Sequence, residues 1–234
     1  ASWAHLSMSP RVIAVGDIHG CAEALRGLME VVEPHAEDQI IVLGDYVARG
    51  PNTRDVFEQL LEMKTSCQLF SLAGNHEVMM LEALLTSHSA NLEFWMRCGG
   101  EETLASYGGD ATGIPESHFD FLQQALRYHE TDTHLFVHAN YAPHLPLEHQ
   151  PDQMLFWQHL GVDPVPHDSG KIAVLGHTPQ ITGEVLDLGH VICIDTFCFG
   201  SGWLTGLDVH SGEIWQVDKQ GQIRLTDEWP CEQE

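Results

Sequence analysis

Short apolar runs that stop at a glycine alternate with segments of helical spacing in the first third of the chain. The apolar runs are RVIAVGD (11–17), DQIIVLGD (38–45) and SCQLFSLAGN (66–75). The segments after them, with apolar residues three and four positions apart, cover 21–32, 53–63 and 76–87. A strand, a polar loop and a helix in repeated succession predict βαβ units and a mostly parallel sheet.

The pattern changes in the middle of the chain and then returns to strands. Residues 91–130 show no strand pattern, and their short helical segments broken by glycines predict a helical insertion. Further strands are predicted within 134–140, 171–179, 190–196, 202–209 and 213–217. The sequence HSG between the last two is typical of a hairpin turn.

The length of 234 residues suits one large domain, which we place at 11–234. We expect residues 1–10 to be an N-terminal extension. MSPRVIAVGD from Met8 would make a natural start, so we expect residues 1–7 to have been appended or left by processing. No apolar run approaches the ~18 residues of a membrane helix, and no secretory leader pattern is visible. The six cysteines include no CxxC pair. We therefore expect a cytoplasmic protein with reduced thiols.

The chain is strongly acidic, with 10 basic against 34 acidic residues and a formal net charge of −24. That balance argues against broad affinity for nucleic acid or for an anionic membrane. It says nothing about oligomeric state.

Polar and imidazole side chains follow five of the predicted strands. They are Asp17 and His19, Asp45 and Arg49, Asn75 and His76, His138 and Asn140, and His177. Ligands bind beyond the carboxyl ends of strands in open α/β sheets. Carboxylate, amide and imidazole donors without thiolate suit Mn, Fe or Zn. So many donors predict two divalent ions sharing a carboxylate, ~3.5–4 Å apart, which would activate a bridging water for in-line attack on phosphorus.

Five blocks carry a resemblance to a known family. GDIHG (16–20), GDYVARG (44–50), GNHE (74–77), HAN (138–140) and GHTP (176–179) resemble the signatures of PPP-type metallophosphoesterases in the calcineurin-like superfamily. This group includes serine/threonine protein phosphatases and symmetrical dinucleoside tetraphosphatases, and the chain is most similar to small bacterial and phage phosphatases. The resemblance implies a sandwich of two mixed β-sheets flanked by helices, with two metals at the carboxyl ends of strands.

The resemblance also implies a role for each matching residue. One metal ion would be held by Asp17, His19 and Asp45, and the other by Asp45, Asn75, His138 and His177. Mn²⁺ is the first choice, with Fe and Zn as alternatives. His76 matches the general acid that protonates the leaving group. Arg49 matches the phosphate-binding arginine, with Asn75 and His76 as further phosphate contacts.

The chain departs from the family pattern at three positions. Ala48 stands where the family has an aspartate that orients the catalytic histidine, and this predicts reduced activity. It is either an introduced substitution or the natural residue of a slow phosphatase or a phosphate-sensing pseudoenzyme. Ala73 and His159 stand where phage-type relatives often carry arginines. His159 is therefore a candidate substitute for one missing phosphate contact, and Arg97 is a weaker one.

Three functions remain in competition. The first hypothesis is a phosphomonoesterase acting on phosphoserine, phosphothreonine or small phosphoesters. The alternative is symmetrical hydrolysis of dinucleoside tetraphosphates, for which Trp95, Tyr107, Trp157 and Trp203 are candidate base-stacking residues. The third, of another class, is a non-catalytic protein that binds a phosphorylated partner through its metal pair.

Overall fold

Two five-stranded sheets form the centre of the protein, described by a computed structural model for residues 10–86 and 88–225. The predicted extension 1–10 lies almost entirely outside the described residues. The strands are β1 (Val12–Val15), β2 (Gln39–Val42), β3 (Gln68–Ser71), β4 (His129–Glu130), β5 (His134–Val137), β6 (Ile172–Leu175), β7 (Leu186–Asp187), β8 (Val191–Cys193), β9 (Leu204–Asp208) and β10 (Ile214–Val217). The helices are α1 (Ala22–Val32), α2 (Thr53–Ser66), α3 (Asn75–Leu85), α4 (Ser89–Trp95), α5 (Glu101–Ser106) and α6 (Glu116–Gln123).

The first sheet has the order β10-β9-β1-β2-β3 and the second β4-β5-β6-β8-β7. In the first, β1, β2 and β3 are parallel, while β9 and β10 run antiparallel. In the second, β5, β6 and β8 are parallel, with β4 and β7 antiparallel at the edges. In each sheet, the carboxyl ends of three parallel strands therefore lie on the same side of the molecule.

The inner faces of the two sheets share one apolar core. It contains Val12, Ala14, Ile41, Leu43, Leu72, Phe136, Val174, Ile194 and Leu207. Strand β1 (VIAV) is buried at all four positions, as expected for an apolar strand covered on both faces. Helix α1 covers the outer face with Leu25, Leu28 and Val32, spaced three and four residues apart.

The structure confirms the predicted fold class and the predicted strands and helices of the first third. The prediction of a mostly parallel sheet was incomplete, because periodicity cannot reveal which strands pair after the insertion. Strand β4 begins a second sheet, which β5 to β8 complete, as the family resemblance implied.

The insertion consists of α4, a wide turn over Met96–Gly100, α5, a short 3₁₀ turn at Ala111–Gly113 and α6. Two details differ from the prediction for 91–130. Helix α4 begins earlier, and β4 occupies the end of a segment that showed no strand pattern. Strand β4 has two residues, too few to show an alternation of apolar and polar positions.

Candidate metal and phosphate site

The residues predicted to carry the chemistry converge on one cavity at the carboxyl ends of the strands. It has a volume of about 230 Å³ and is lined by Asp17, His19, Asp45, Arg49, Asn75, His76, Trp157, His159, His177, Pro179, Asp195 and Phe199. His138 is fully buried behind it and contacts the residues that line it. Five loops, following β1, β2, β3, β5 and β6, deliver the predicted residues to this place.

Asp45 lies at the centre of two clusters of possible metal ligands. Its carboxylate forms one cluster with His138 and His177 and another with His19 and His76. The ligand atoms of each cluster lie within 4.8 Å of one another. This central position is the one predicted for a carboxylate that bridges two ions. Asp17 belongs to neither cluster, and its carboxylate accepts the backbone N–H of His177.

His138 and His177 face this centre with unprotonated nitrogens. The Nδ1 of His138 lies 2.9 Å from the carbonyl oxygen of Leu43, and the Nε2 of His177 lies 3.2 Å from that of Trp157. A carbonyl oxygen only accepts, so each ring must donate from that nitrogen and keep a lone pair on the other. These two lone-pair nitrogens lie 3.2 Å apart.

Further acceptors surround the same point. The Nε2 of His138 is 3.1 Å from Oδ1 of Asn75 and 3.4 Å from Oδ1 of Asp45. Lone pairs and carboxylate oxygens at such distances repel unless positive charge lies between them. A proton on Asp45 or a cation between these atoms removes the repulsion, and the imidazole, amide and carboxylate donors fit a divalent cation.

The pKa values of the buried groups support the same conclusion. Burial raises the pKa of Asp45 to about 7 and raises that of Asp17 well above its ordinary value. Burial also lowers the pKa of His138 and His177 to about 3. The imidazoles of His138 and His177 are therefore neutral at pH 7, as metal ligation requires. A cation that binds Asp45 and Asp17 would displace protons from their carboxyl groups.

Glu77, the last residue of GNHE, positions the Asp45 loop. Its buried carboxylate accepts the backbone N–H groups of Gly74, Asp45, Tyr46 and Val47 at 2.6–3.1 Å. The loop needs this support because Asp45 itself has a left-handed φ of 49°. Glu77 had no role among the predictions from the sequence.

His76, which the resemblance implies is the general acid, has one ring nitrogen without a hydrogen-bond partner among the described residues. His76 is 2% exposed, and its Nδ1 is buried with no hydrogen-bond partner among the described residues. Ala48 is itself fully buried, and its backbone N–H donates to Oγ1 of Thr103 in α5. A methyl group can neither donate nor accept a hydrogen bond, so Ala48 cannot take the role that the resemblance gives to an aspartate at this position.

Arg49 and His159, the predicted phosphate contacts, both line the cavity. The Nη2 of Arg49 lies 3.4 Å from the Nε2 of His76, and its guanidinium carbon lies 4.5 Å from the ring centroid of Phe199. His159 is exposed and stacks on His177, with ring centroids 4.4 Å apart. Ala73 is buried and adds no charge to the site.

Two residues of the cavity wall, Asp195 and Phe199, were not predicted from the sequence. Asp195 is buried beyond the end of β8, and burial raises its pKa to about 6. Its signal was present, since ICID ends an apolar run with aspartate as the other site strands do. Phe199 had no such signal, because nothing in the surrounding sequence marks it.

The candidate base-stacking residues divide into two groups. Trp95 is fully buried, and Tyr107 is buried with its hydroxyl 2.9 Å from Nδ1 of His118. Both therefore belong to the core and cannot stack on a base. Trp157 lines the cavity, whereas Trp203 lies against the guanidinium of Arg224.

Comparison with known proteins places this geometry in a family context. The calcineurin-like phosphoesterase family matches residues 10–209. Among curated relatives, the symmetrical bis(5'-nucleosyl)-tetraphosphatase of Cellvibrio japonicus (strain Ueda107) is 28% identical over 132 residues, which is 56% of this chain and 45% of the relative. The enzyme of the same name from Shigella dysenteriae serotype 1 (strain Sd197) is 37% identical over 78 residues, 33% of this chain and 27% of the relative. The chain thus spans less than half the length of these relatives.

Solved structures show the same fold at low sequence identity. A protein described as a candidate diadenosine tetraphosphatase has a TM-score of 0.67 and 21% identity, over 90% of this chain and 94% of that one. A cold-active protein-tyrosine phosphatase of a psychrophilic Shewanella species has a TM-score of 0.63 and 15% identity, over 92% and 80%. A protein serine/threonine phosphatase of Saccharomyces cerevisiae has a TM-score of 0.58 and 15% identity, over 96% and 82%.

Within the described residues, no helix has the length and apolar character needed to cross a membrane. The family match extends from the first described strand to the end of β9 and includes every predicted metal ligand. The chain belongs to the calcineurin-like phosphoesterase family of metal-dependent hydrolases.

Proposed function

We propose that this protein is a dimetal-dependent hydrolase that cleaves phosphorus–oxygen bonds with an acidic leaving group, and that a dinucleoside tetraphosphate is its preferred class of substrate. The observation that carries the proposal is the buried Nδ1 of His76, which has no hydrogen-bond partner among the described residues. Hydrolysis of dinucleoside tetraphosphates, the alternative hypothesis from the sequence, is thus preferred to hydrolysis of phosphomonoesters, the first hypothesis.

The residues of the site would bind the metal ions, bind the phosphoryl group and transfer a proton. Asp17, His19, Asp45, Asn75, His138 and His177 hold two divalent ions. When bound, these ions supply a nucleophile at neutral pH and neutralise phosphoryl charge. Arg49 donates to the non-bridging phosphoryl oxygens. Nε2 of His76 lies within reach of Arg49 in this structure and would give a proton to the departing oxygen only when the ring is protonated; burial lowers the pKa of His76 to about 3, so this proton is rarely present at neutral pH.

The missing carboxylate weakens that last step. An acceptor at Nδ1 stabilises an imidazolium and fixes the ring, and general acid catalysis is typically worth ~10²–10⁴-fold in rate. A serine alkoxide is a poor leaving group and needs this proton. A phosphoanhydride releases a phosphate oxygen, which is far more acidic and needs little help. The site therefore favours anhydride over alkyl phosphate cleavage.

Two further observations support the same substrate class. The curated relatives described above are named as symmetrical tetraphosphatases, over part of their length. Trp157 also lies on the cavity wall, where its ring is available to a base.

A protein or small-molecule phosphomonoester is the second candidate. It is favoured by the small number of cationic groups, since Arg49 is the one guanidinium among the described residues that line the 230 Å³ cavity. A polyphosphate would use more positive charge than this. A non-catalytic phosphate-binding protein is the third candidate, and it predicts phosphate binding without turnover.

The dependence of rate on the leaving group separates these candidates. In a series of aryl phosphates assayed with Mn²⁺, kcat should fall steeply as the leaving group becomes less acidic. Ala48→Asp should raise the rate about a hundredfold for the poorest leaving group and change it little for the best. The left-handed φ of 70° at position 48 accepts aspartate or asparagine readily.

Ala48→Asn is the matched control, because it has nearly the same shape without the charge. It should recover much less activity than Ala48→Asp. An equal acceleration for every leaving group would contradict the role given to His76. No turnover in any variant, with phosphate still bound, would favour the non-catalytic protein.

A further inference from the structure

A second, larger cavity opens beside the metal site. It has a volume of about 550 Å³ and shares Arg49, Asn75, His76, Trp157 and Phe199 with the smaller one. Its remaining walls come from α3 and the insertion, through Met79, Phe94, Arg97, Cys98, Gly99 and Glu102. We call it the insertion cavity. A group that leaves the metal site past His76 and Arg49 enters it directly.

Aromatic rings border the insertion cavity on several elements. Phe94 lies on α4 and is 53% exposed, a large fraction for a phenylalanine side chain. Trp157 and Phe199 are partly exposed and come from two other loops. Exposed rings around one cavity of this size suit a planar heterocycle, which stacks on them.

Arg97 adds a cation beside the rings. Its side chain is 76% exposed, and its described partner is Glu93, with 3.4 Å between Nη2 and Oε2. An exposed pair of this kind contributes little to stability. Breaking the Arg97–Glu93 pair to contact a phosphate would therefore cost little free energy.

We propose that the insertion cavity binds the departing nucleotide of a dinucleoside tetraphosphate, with the base on Phe94 and Trp157 and the phosphates near Arg97 and Arg49. This inference rests on the proposed function and names the residues that set its substrate specificity. Water oxygen bonds to one central phosphorus, and the bond from that phosphorus to the central bridging oxygen breaks. The bridging oxygen leaves with the other half, and the products are two nucleoside diphosphates.

The test compares a nucleotide substrate with one that has no base. Phe94→Ala should raise KM for diadenosine tetraphosphate about tenfold, as expected for loss of a stacking partner. It should leave kcat for that substrate, and both constants for p-nitrophenyl phosphate, within about twofold. Arg97→Ala should show the same selectivity.

Matched controls separate this effect from general damage. Leu92→Ala removes an exposed apolar side chain from the same helix outside the cavity, and Arg26→Ala removes an exposed guanidinium from α1. Neither should change KM for either substrate. Melting temperatures of all variants report whether the fold is intact.

Other outcomes would overturn the inference. An unchanged KM for diadenosine tetraphosphate in Phe94→Ala refutes the base site while leaving the proposed function intact. An equal rise for a phosphopeptide assigns the cavity to peptide side chains instead. A wild-type protein that cleaves p-nitrophenyl phosphate but not diadenosine tetraphosphate refutes both the inference and the substrate class.

Discussion

At the residue scale, the backbone determines where the imidazole lone pairs point. His19 follows the same rule as His138 and His177, since its Nδ1 lies 3.1 Å from the carbonyl oxygen of Val47. Its Nε2 then faces Oδ2 of Asp45 at 3.6 Å. Because each ring is anchored through one nitrogen, the ligand set has little freedom left to lose on binding metal.

These buried groups should couple metal binding to pH. The pKa of Asp45 is about 7 and that of Glu77 about 8, both above their unfolded values, with burial the largest cause. Protonated carboxyls stabilise the metal-free fold below the unfolded pKa, and this contribution is lost as pH rises through 7–8. Histidines with lowered pKa values act oppositely, but their contribution is largely present above pH ~6.5.

We therefore expect Mn²⁺ to raise the melting temperature more at pH 8.5 than at pH 6.5. Metal binding at pH 6.5 must displace protons from the carboxyls, whereas at pH 8.5 the anions are already formed. Thermal unfolding with saturating Mn²⁺ and with chelator, at both pH values, measures the difference. An increment that is the same at both pH values would argue against proton–metal competition.

At the element scale, the insertion is joined to the catalytic loop through its wide turn. Gly99 has a φ of 110°, and a Cβ atom there would lie 2.6 Å from the nitrogen of Arg49 and 2.8 Å from Cβ of Ala48. Oγ1 of Thr103 accepts the N–H of Ala48 and donates to the carbonyl oxygen of Gly99. The same turn thus shapes the insertion cavity and fixes Arg49.

Gly99→Ala should consequently affect both stability and catalysis. Backbone strain and overpacking together should cost about 2–4 kcal/mol of unfolding free energy. kcat should fall because Arg49 is displaced, and urea unfolding with steady-state kinetics measures both effects.

Gly109→Ala is the control. That glycine also has a positive φ, 92°, but a Cβ atom would meet nothing within 4 Å. It should cost about 1 kcal/mol and leave kcat unchanged. Equal effects at the two positions would show that strain alone, not contact with the Arg49 loop, explains the result.

At the scale of the whole molecule, the negative net charge of the protein disfavours the approach of the proposed anionic substrate. A formal net charge of −24 repels a polyphosphate at long range, and two divalent ions offset about four of these charges. Salt screens such repulsion over ~10 Å at 0.1 M.

Moderate salt should therefore raise kcat/KM. Between low salt and ~0.15 M we expect about a twofold or larger rise for diadenosine tetraphosphate and a smaller one for p-nitrophenyl phosphate, which carries less charge. Steady-state kinetics across an ionic-strength series tests this. A falling rate for both substrates would mean that local attraction at the metals outweighs the repulsion.

Much of the site could be predicted because its residues lie at strand ends. Asp45 and His76 each follow an apolar run of the first sheet, so their proximity follows from their places at strand ends, whereas His177 follows a strand of the second sheet and meets them because the two sheets pack together. The resemblance supplied the two mixed sheets, which periodicity could not, because pairing between distant strands depends on their packing together. Whether the chain forms one domain and which metal it binds stay predictions.

The unpredicted part depends on contacts distant in sequence. Phe94 and Phe199 border the insertion cavity from segments more than a hundred residues apart along the chain. Neither sits in a motif, and each alone looks like an ordinary apolar residue. Glu77 lay within GNHE, but its task of holding four backbone N–H groups becomes visible only when the Asp45 loop folds over it.

The ligand clusters also straddle the boundary between the two sheets. Asp45 and Asn75 follow strands of the first sheet, whereas His138 and His177 follow strands of the second, and the ring of His138 already bonds to Leu43 across that boundary. Ions held there would fasten the sheets together much as a cross-link does. The supply of metal in the surroundings would then govern how long each molecule survives proteolysis, as well as how fast it works.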